Sequence, residues 1–222
     1  MSKKVAVILC GSGRMDGSEI TEAVSTLVHL ARHGASSKCF APDAPQTEVV
    51  NHLTNKVAPG QTRNMMAESA RIARGDVAPI TQLKASDYDM LVFPGGNGLA
   101  KNLCDFASKG SDCTVLPDIE RVIREFHAAK KSMGFICIAP VLAARVLGAR
   151  MNGPGCKVTI GTDPGVAGLI GEMGSVHVPK GVSEAYFDEK NRVFSTPAYM
   201  CEANPAQIFD GIGRMIEMMM KS

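Results

Sequence analysis

No stretch of the 222-residue sequence approaches the about 18 consecutive apolar residues that a membrane span needs, so a membrane partner is not expected. The opening run Val5-Ala6-Val7-Ile8-Leu9 is too short and too strand-like for a secretory signal, and no Arg/Ser-rich amphipathic presequence precedes it. Charge of one sign is not in excess: 24 Lys and Arg stand against 22 Asp and Glu. Phosphate tracking needs a dense basic face, so nucleic acid is not an expected partner either. The seven cysteines are odd in number and form no CxxC pair or metal-ligand spacing, which points away from a structural metal or a disulfide framework. That usage suits a reducing compartment, the cytoplasm or a mitochondrial matrix.

Short β-branched runs alternate with segments of helical period, the pattern of a mostly parallel α/β sheet covered on both faces. Strands are expected over residues 4–10, 36–41, 90–93, 132–137, 158–162 and 193–196, and helices after Ile20, over 61–74, 118–130 and 139–147, and over 206–220. Residues 43–84 are irregular and too long for an ordinary connection, so an insertion is expected there within one domain spanning 1–222. The Met-rich face of the last helix reads as gap-filling core. The Gly-rich loop Gly11-Ser12-Gly13-Arg14-Met15-Asp16-Gly17 lacks GxGxxG spacing, and no nucleotide or other cofactor is expected.

Chemistry concentrates at Gly134-Phe135-Ile136-Cys137-Ile138-Ala139-Pro140. Strand character precedes Cys137 and helix character follows it, placing the thiol at a sharp turn over the carboxyl ends of parallel strands, where open α/β sheets bind ligands. A helix N-terminus there would favour thiolate over thiol, and its N–H groups would cradle an oxyanion. Gly95-Gly96-Asn97, after the strand Met90–Phe93, lets backbone approach a ligand closely. Arg63, Asn64, Glu68 and Arg71 lie on or beside the irregular middle segment. As a helix, positions 64, 68 and 71 share a face suited to a polar wall over the site, and Arg63 or Arg71 is suited to a substrate carboxylate. Asp163 and His177 are the polar candidates from the later loops.

The run Phe93-Pro94-Gly95-Gly96-Asn97-Gly98 together with the Cys137 segment resembles the PfpI superfamily of class I glutamine amidotransferase-like proteins. Asp16-Gly17-Ser18-Glu19-Ile20, Cys39-Phe40-Ala41-Pro42-Asp43, Asn51-His52-Leu53, Arg63-Asn64-Met65-Met66 and Thr196-Pro197-Ala198-Tyr199-Met200 resemble its ElbB branch, the enhancing-lycopene-biosynthesis and ES-one proteins. The resemblance implies a flavodoxin-like three-layer sandwich, Cys137 as nucleophile, an oxyanion hole from the N–H groups of Gly96 and Ile138, and a homodimer. It also implies a glutamate contacting the sulfur. Glu22, twelve residues before the helix-ending Gly34, matches that position, and Glu19 competes from one helical step earlier.

An amidotransferase of this superfamily carries His and Glu two residues apart on a late loop, and none of the five histidines fits. Ile138 stands where the peptidase branch has a His. Without an imidazole base, amide hydrolysis by a cysteine is poorly supported, which argues against glutaminase and protease. A thiolate, a carboxylate and an oxyanion hole suit addition to a small reactive carbonyl. The branch resemblance implies a cofactor-independent glyoxalase, glyoxal to glycolate, with a non-enzymatic, redox-sensing thiol as the alternative.

Overall fold

The computed structural model describes residues 2–222. One sheet holds seven strands: β1 (Lys4–Ile8), β2 (Ser36–Ala41), β5 (Val77–Pro79), β6 (Met90–Phe93), β7 (Ser132–Ile136), β10 (Tyr186–Asp188) and β11 (Val193–Thr196). Their spatial order is β10-β11-β7-β6-β1-β2-β5, parallel throughout except for the antiparallel edge pair β10–β11. Two small sheets flank it, the hairpin β3 (Val50–Asn51) with β4 (Lys56–Val57) and the parallel pair β8 (Lys157–Val158) with β9 (Val176–His177).

Around the sheet lie α1 (Ile20–Arg32), α2 (Met65–Ile72), the short α3 (Leu99–Asn102) and α4 (Phe106–Lys109), α5 (Pro117–Ala128), α6 (Pro140–Leu147), α7 (Pro164–Glu172) and α8 (Pro205–Met220). In one layer α1 packs on α8; in the other α5 packs on α6, giving the flavodoxin-like sandwich. The central strands are apolar on both faces because both are covered: Val5, Val7, Leu91, Phe93, Met133 and Phe135 are fully buried. The rings of Phe93 and Phe135, register partners on β6 and β7, stack with centroids 5.1 Å apart. The methionines of α8 do fill gaps. A Cβ at Gly134 would lie 2.7 Å from Met219 Sδ, so a missing side chain on β7 makes room for α8.

The irregular segment 43–84 divides differently from the expectation. Its second half is regular fold: α2 crosses from β2 to β5, which extends the main sheet by pairing Cys39 with Val77. Only the part containing the β3–β4 hairpin is additional to that crossover. Val77-Ala78-Pro79 escapes sequence reading because it is three residues long and ends in Pro, which is tolerated at a sheet edge.

Candidate active site

Cys137 directly follows β7 and takes the left-handed conformation, φ +61°, which a residue with a side chain rarely adopts. Two hydrogen bonds and the start of a helix hold it there. Its N–H donates to the Thr196 carbonyl at 3.0 Å, continuing the β7–β11 ladder one residue past the strand. The Ala139 N–H then donates to Ile136 O at 3.0 Å, closing the turn. Pro140 begins α6 one residue later, where its missing N–H costs nothing. Strain of this kind persists where surrounding structure over-determines it, and it concentrates at reactive centres.

The carboxyl beside the thiol is that of Glu22. It lies in the first turn of α1, is fully buried, and flanks the same point as Cys137, a Cβ at Gly95 meeting Cys137 Cβ at 2.5 Å and Glu22 Oε2 at 2.8 Å. Its Oε2 accepts from the Gly95 N–H at 2.9 Å and its Oε1 from the Tyr199 N–H at 3.3 Å. Glu19 has a different place. As N-cap of α1 its side chain accepts from the Glu22 N–H at 2.8 Å, and its own N–H donates to Gly95 O at 2.9 Å. It therefore orients α1 and the Gly95 loop rather than touching the sulfur. The N–H groups of Gly96 and Ile138 act on the thiol to favour its ionised form. Gly95 and Gly96 are dictated by crowding: a Cβ at Gly95 would lie 2.5 Å from the Cys137 Cβ, and one at Gly96 would meet Glu19 N and Gly17 O at 2.6 Å.

Burial reverses the expectation of a depressed thiol. The sulfur sits in a residue only 7% exposed, and α6 starts three positions downstream. Loss of solvent, and then the neighbouring Glu22 carboxylate, push the Cys137 thiol up; the Gly96 and Ile138 N–H groups pull the other way and are outweighed. Burial, and secondly the charge of Glu19, push Glu22 up to about 8. Two buried acids in contact cannot both ionise cheaply, so the pair shares a proton and titrates as a unit.

Of the other candidate positions, Asn97 is exposed, its N–H donating to Arg14 O at 2.7 Å. Asn64 caps α2, accepting from the Ala67 N–H at 2.9 Å, while its Nδ2 donates to Asp43 at 2.8 Å. Asp163 likewise caps α7, accepting from the Val166 N–H at 2.8 Å. Asn and Asp suit such caps because their short side chains reach the next turn's N–H, and that use explains both residues without a ligand. Arg63 lies 3.9 Å from Asp16, whose buried carboxylate accepts the Val50 N–H at 2.8 Å and so ties the hairpin to the loop after β1. His177 is half-buried on β9. Among the described residues no histidine is hydrogen-bonded to Cys137 or Glu22.

Sequence reasoning missed the backbone of Thr196 and Tyr199, although the motif carrying them was visible; nothing in a side chain announces that its neighbour's N–H points at a carboxylate. It also missed the scaffold under the β1–α1 loop. Asn102 Nδ2 donates to Cys10 O and Asp16 O at 3.0 and 2.9 Å, and the Ser18 hydroxyl accepts from the Cys10 N–H at 3.0 Å.

The rat ES1 protein homolog, a mitochondrial protein, is 47% identical over 223 residues, covering 96% of this chain and 82% of the relative. The human mitochondrial glutamine amidotransferase-like class 1 domain-containing protein 3 is 46% identical over 222 residues, covering 96% and 81%. The chain belongs to the ES1 family. The crystal structure of an isoprenoid biosynthesis protein with an amidotransferase-like domain from Ehrlichia chaffeensis, 42% identical, superposes with a TM-score of 0.92 over 99% of each chain. No family model matches the chain. This ES1-family protein thus has the amidotransferase-like fold, and its candidate site sets Cys137 beside the buried Glu22.

Proposed function

We propose that this ES1-family protein is a cofactor-independent glyoxalase acting on small dicarbonyls such as glyoxal. The observation carrying the proposal is the buried Glu22 carboxyl set beside Cys137 at the Gly95-Gly96 turn. As the sulfur attacks an aldehyde carbon, its proton passes to Glu22 and the developing oxyanion is held by the Gly96 and Ile138 N–H groups. The oxyanion takes that proton from Glu22, giving a hemithioacetal and restoring the carboxylate. Glu22 then moves the proton from that carbon to its neighbour, leaving a thioester of Cys137. Water cleaves the thioester, releasing glycolate and restoring the thiol. A residue only 7% exposed admits a two- or three-carbon substrate more readily than a peptide or a glutamine side chain.

Proton and carbon NMR of glyoxal incubated with the protein tests this: glycolate should accumulate with wild type and not with Cys137→Ser. Equal rates for the two proteins would sink the proposal. The alternative, a regulatory thiol oxidised at Cys137, draws less support, because burial and Glu22 keep the proton on the sulfur. A mitochondrial or cytoplasmic setting completes the reading, supported by mitochondrial relatives. Among the described residues no helix is long and apolar enough to cross a membrane. A homodimer is part of the same reading; exposed Ile20, Val24 and Val28, one helical turn apart on α1, offer a second copy an apolar face. Sedimentation of wild type and Val24→Glu tests it: a monomer at every concentration would overturn the dimer.

A further inference from the structure

A second pair of thiols lies away from Cys137. Cys104 follows α3, and Cys113 lies on the segment that returns antiparallel to it. The return is fixed by a bridge between Cys104 and Val115, with the Leu116 N–H donating to Leu103 O at 2.9 Å and the Asp105 N–H to Thr114 O at 3.2 Å. Cys113 is two residues before Val115, so its side chain shares a face with that of Val115 and sits diagonally across from Cys104. Both residues are buried, and the antiparallel return brings them onto one face of the turn.

The two sulfurs are not equivalent. Cys104 is pushed up by the Cys113 thiol and by burial, and its Sγ faces the Leu99 carbonyl at 3.7 Å. Cys113 is pulled down, first by its hydrogen bond from Cys104 and also by the Arg145 guanidinium, whose Nε donates to the Cys113 carbonyl at 2.6 Å. A cavity of about 70 Å³ is lined by Cys113, Arg145 and Met151, a space on the scale of a small peroxide. None of these groups belongs to the Cys137 site.

We propose that Cys104 and Cys113 are a peroxide-oxidised dithiol that closes into a reversible disulfide across residues 105–112. The Cys113 sulfur attacks one oxygen of hydrogen peroxide; the O–O bond breaks, and the leaving hydroxide takes up the thiol proton as water. Cys113 is then a sulfenic acid. The Cys104 sulfur attacks the Cys113 sulfur, the S–O bond breaks, and the second hydroxide leaves with the Cys104 proton as water. Two thiols and one hydrogen peroxide give one disulfide and two waters. Closure draws the sulfurs in to about 2.05 Å and moves the Cys113 backbone toward Cys104. In a reducing compartment such a bond is transient and signals oxidant rather than holding the fold together.

Trypsin makes the test direct, because it cleaves after Lys101, Lys109 and Arg121 and so puts the two cysteines on separate peptides, 102–109 and 110–121. The full-length protein is treated with hydrogen peroxide, blocked with a maleimide, and digested without reductant. Mass spectrometry should show the two peptides linked, with loss of both free thiols. Dithiothreitol should release them, and Cys137→Ser should link as wild type does. Recovery of both peptides separately and maleimide-blocked, after peroxide in large molar excess over the protein, would overturn the proposal. So would linkage of either peptide to Cys137, Cys156 or Cys201 instead. The wild-type map decides without any variant at positions 104 or 113.

Discussion

The amide nitrogen of Gly95 lies 2.9 Å from Oε2 of Glu22, so the loop that ends β6 and the first turn of α1 fix one carboxyl between them. The contact is reciprocated two bonds away, where the Glu19 N–H donates to the Gly95 carbonyl at 2.9 Å. On the glyoxalase proposal, a buried carboxyl held this rigidly next to a thiol would carry the proton to and from the carbonyl the sulfur attacks.

Glu22→Gln removes the proton acceptor while keeping the side chain's shape. If Glu22 shuttles the proton, kcat for glyoxal should fall by about 10²–10⁴-fold. Circular dichroism confirms that the fold survives, and an NMR rate within a few-fold of wild type would remove Glu22 from the mechanism.

The pH dependence has a definite sign. The reactive form of the Cys137–Glu22 pair has lost one of its two protons, so kcat/KM should rise with pH through about 8, the value to which Glu22 is raised, and then level off. Stability should move oppositely. Glu22 binds its proton more tightly folded than unfolded, so its contribution is fully present below about 4.5 and is lost as pH rises through about 8. Thermal melts of wild type should therefore soften over that window, and Glu22→Gln should soften less.

Glu19 acts on Glu22 in two separable ways. Glu19→Gln keeps an acceptor for the Glu22 N–H but removes the charge that raises Glu22, so the rate profile should shift to lower pH with little change in melting. Glu19→Ala also loses the cap, at a cost of about 1 kcal/mol. Equal melting temperatures for the two variants would show that the cap carries no weight.

Gly95→Ala should be damaging although both residues are small. Its Cβ would lie 2.5 Å from Cys137 Cβ, 2.7 Å from Ile136 O and 2.8 Å from Glu22 Oε2, none of which is the free end of a flexible chain. Relief requires moving the elbow or the carboxyl, an overpacking cost of about 1–3 kcal/mol by denaturant titration. Gly168→Ala, which meets nothing within 4 Å, is the control.

Much of the site was written in local pattern. An apolar strand, a cysteine and a helix starting at Pro140 specify an elbow because only a sharp turn joins them over the sheet, and the structure realises it with φ +61°. The resemblance to the PfpI superfamily pointed to Glu22, twelve residues before Gly34, and the structure has it in the first turn of α1. The strand and helix pattern likewise carried the parallel sheet, because strands buried on both faces must be apolar throughout.

What the sequence left undecided depends on contacts between distant segments. Glu19 and Glu22 are chemically alike, and only the packing of α1 against the Gly95 loop makes one a cap and the other the partner of the thiol. Asn64 and Asp163 looked like ligand-binding groups until the helices they cap were in place. The direction in which the Cys137 thiol shifts was opposite to that expected from its helix, because desolvation depends on what covers a group and local sequence does not record that. The sequence alone determined that a cysteine stands at the carboxyl edge of a parallel sheet with two glutamates nearby. The tertiary structure decided which glutamate meets it, by which backbone groups both are held, and where their shared proton resides, since each is set by burial and by hydrogen bonds spanning more than 50 residues of chain.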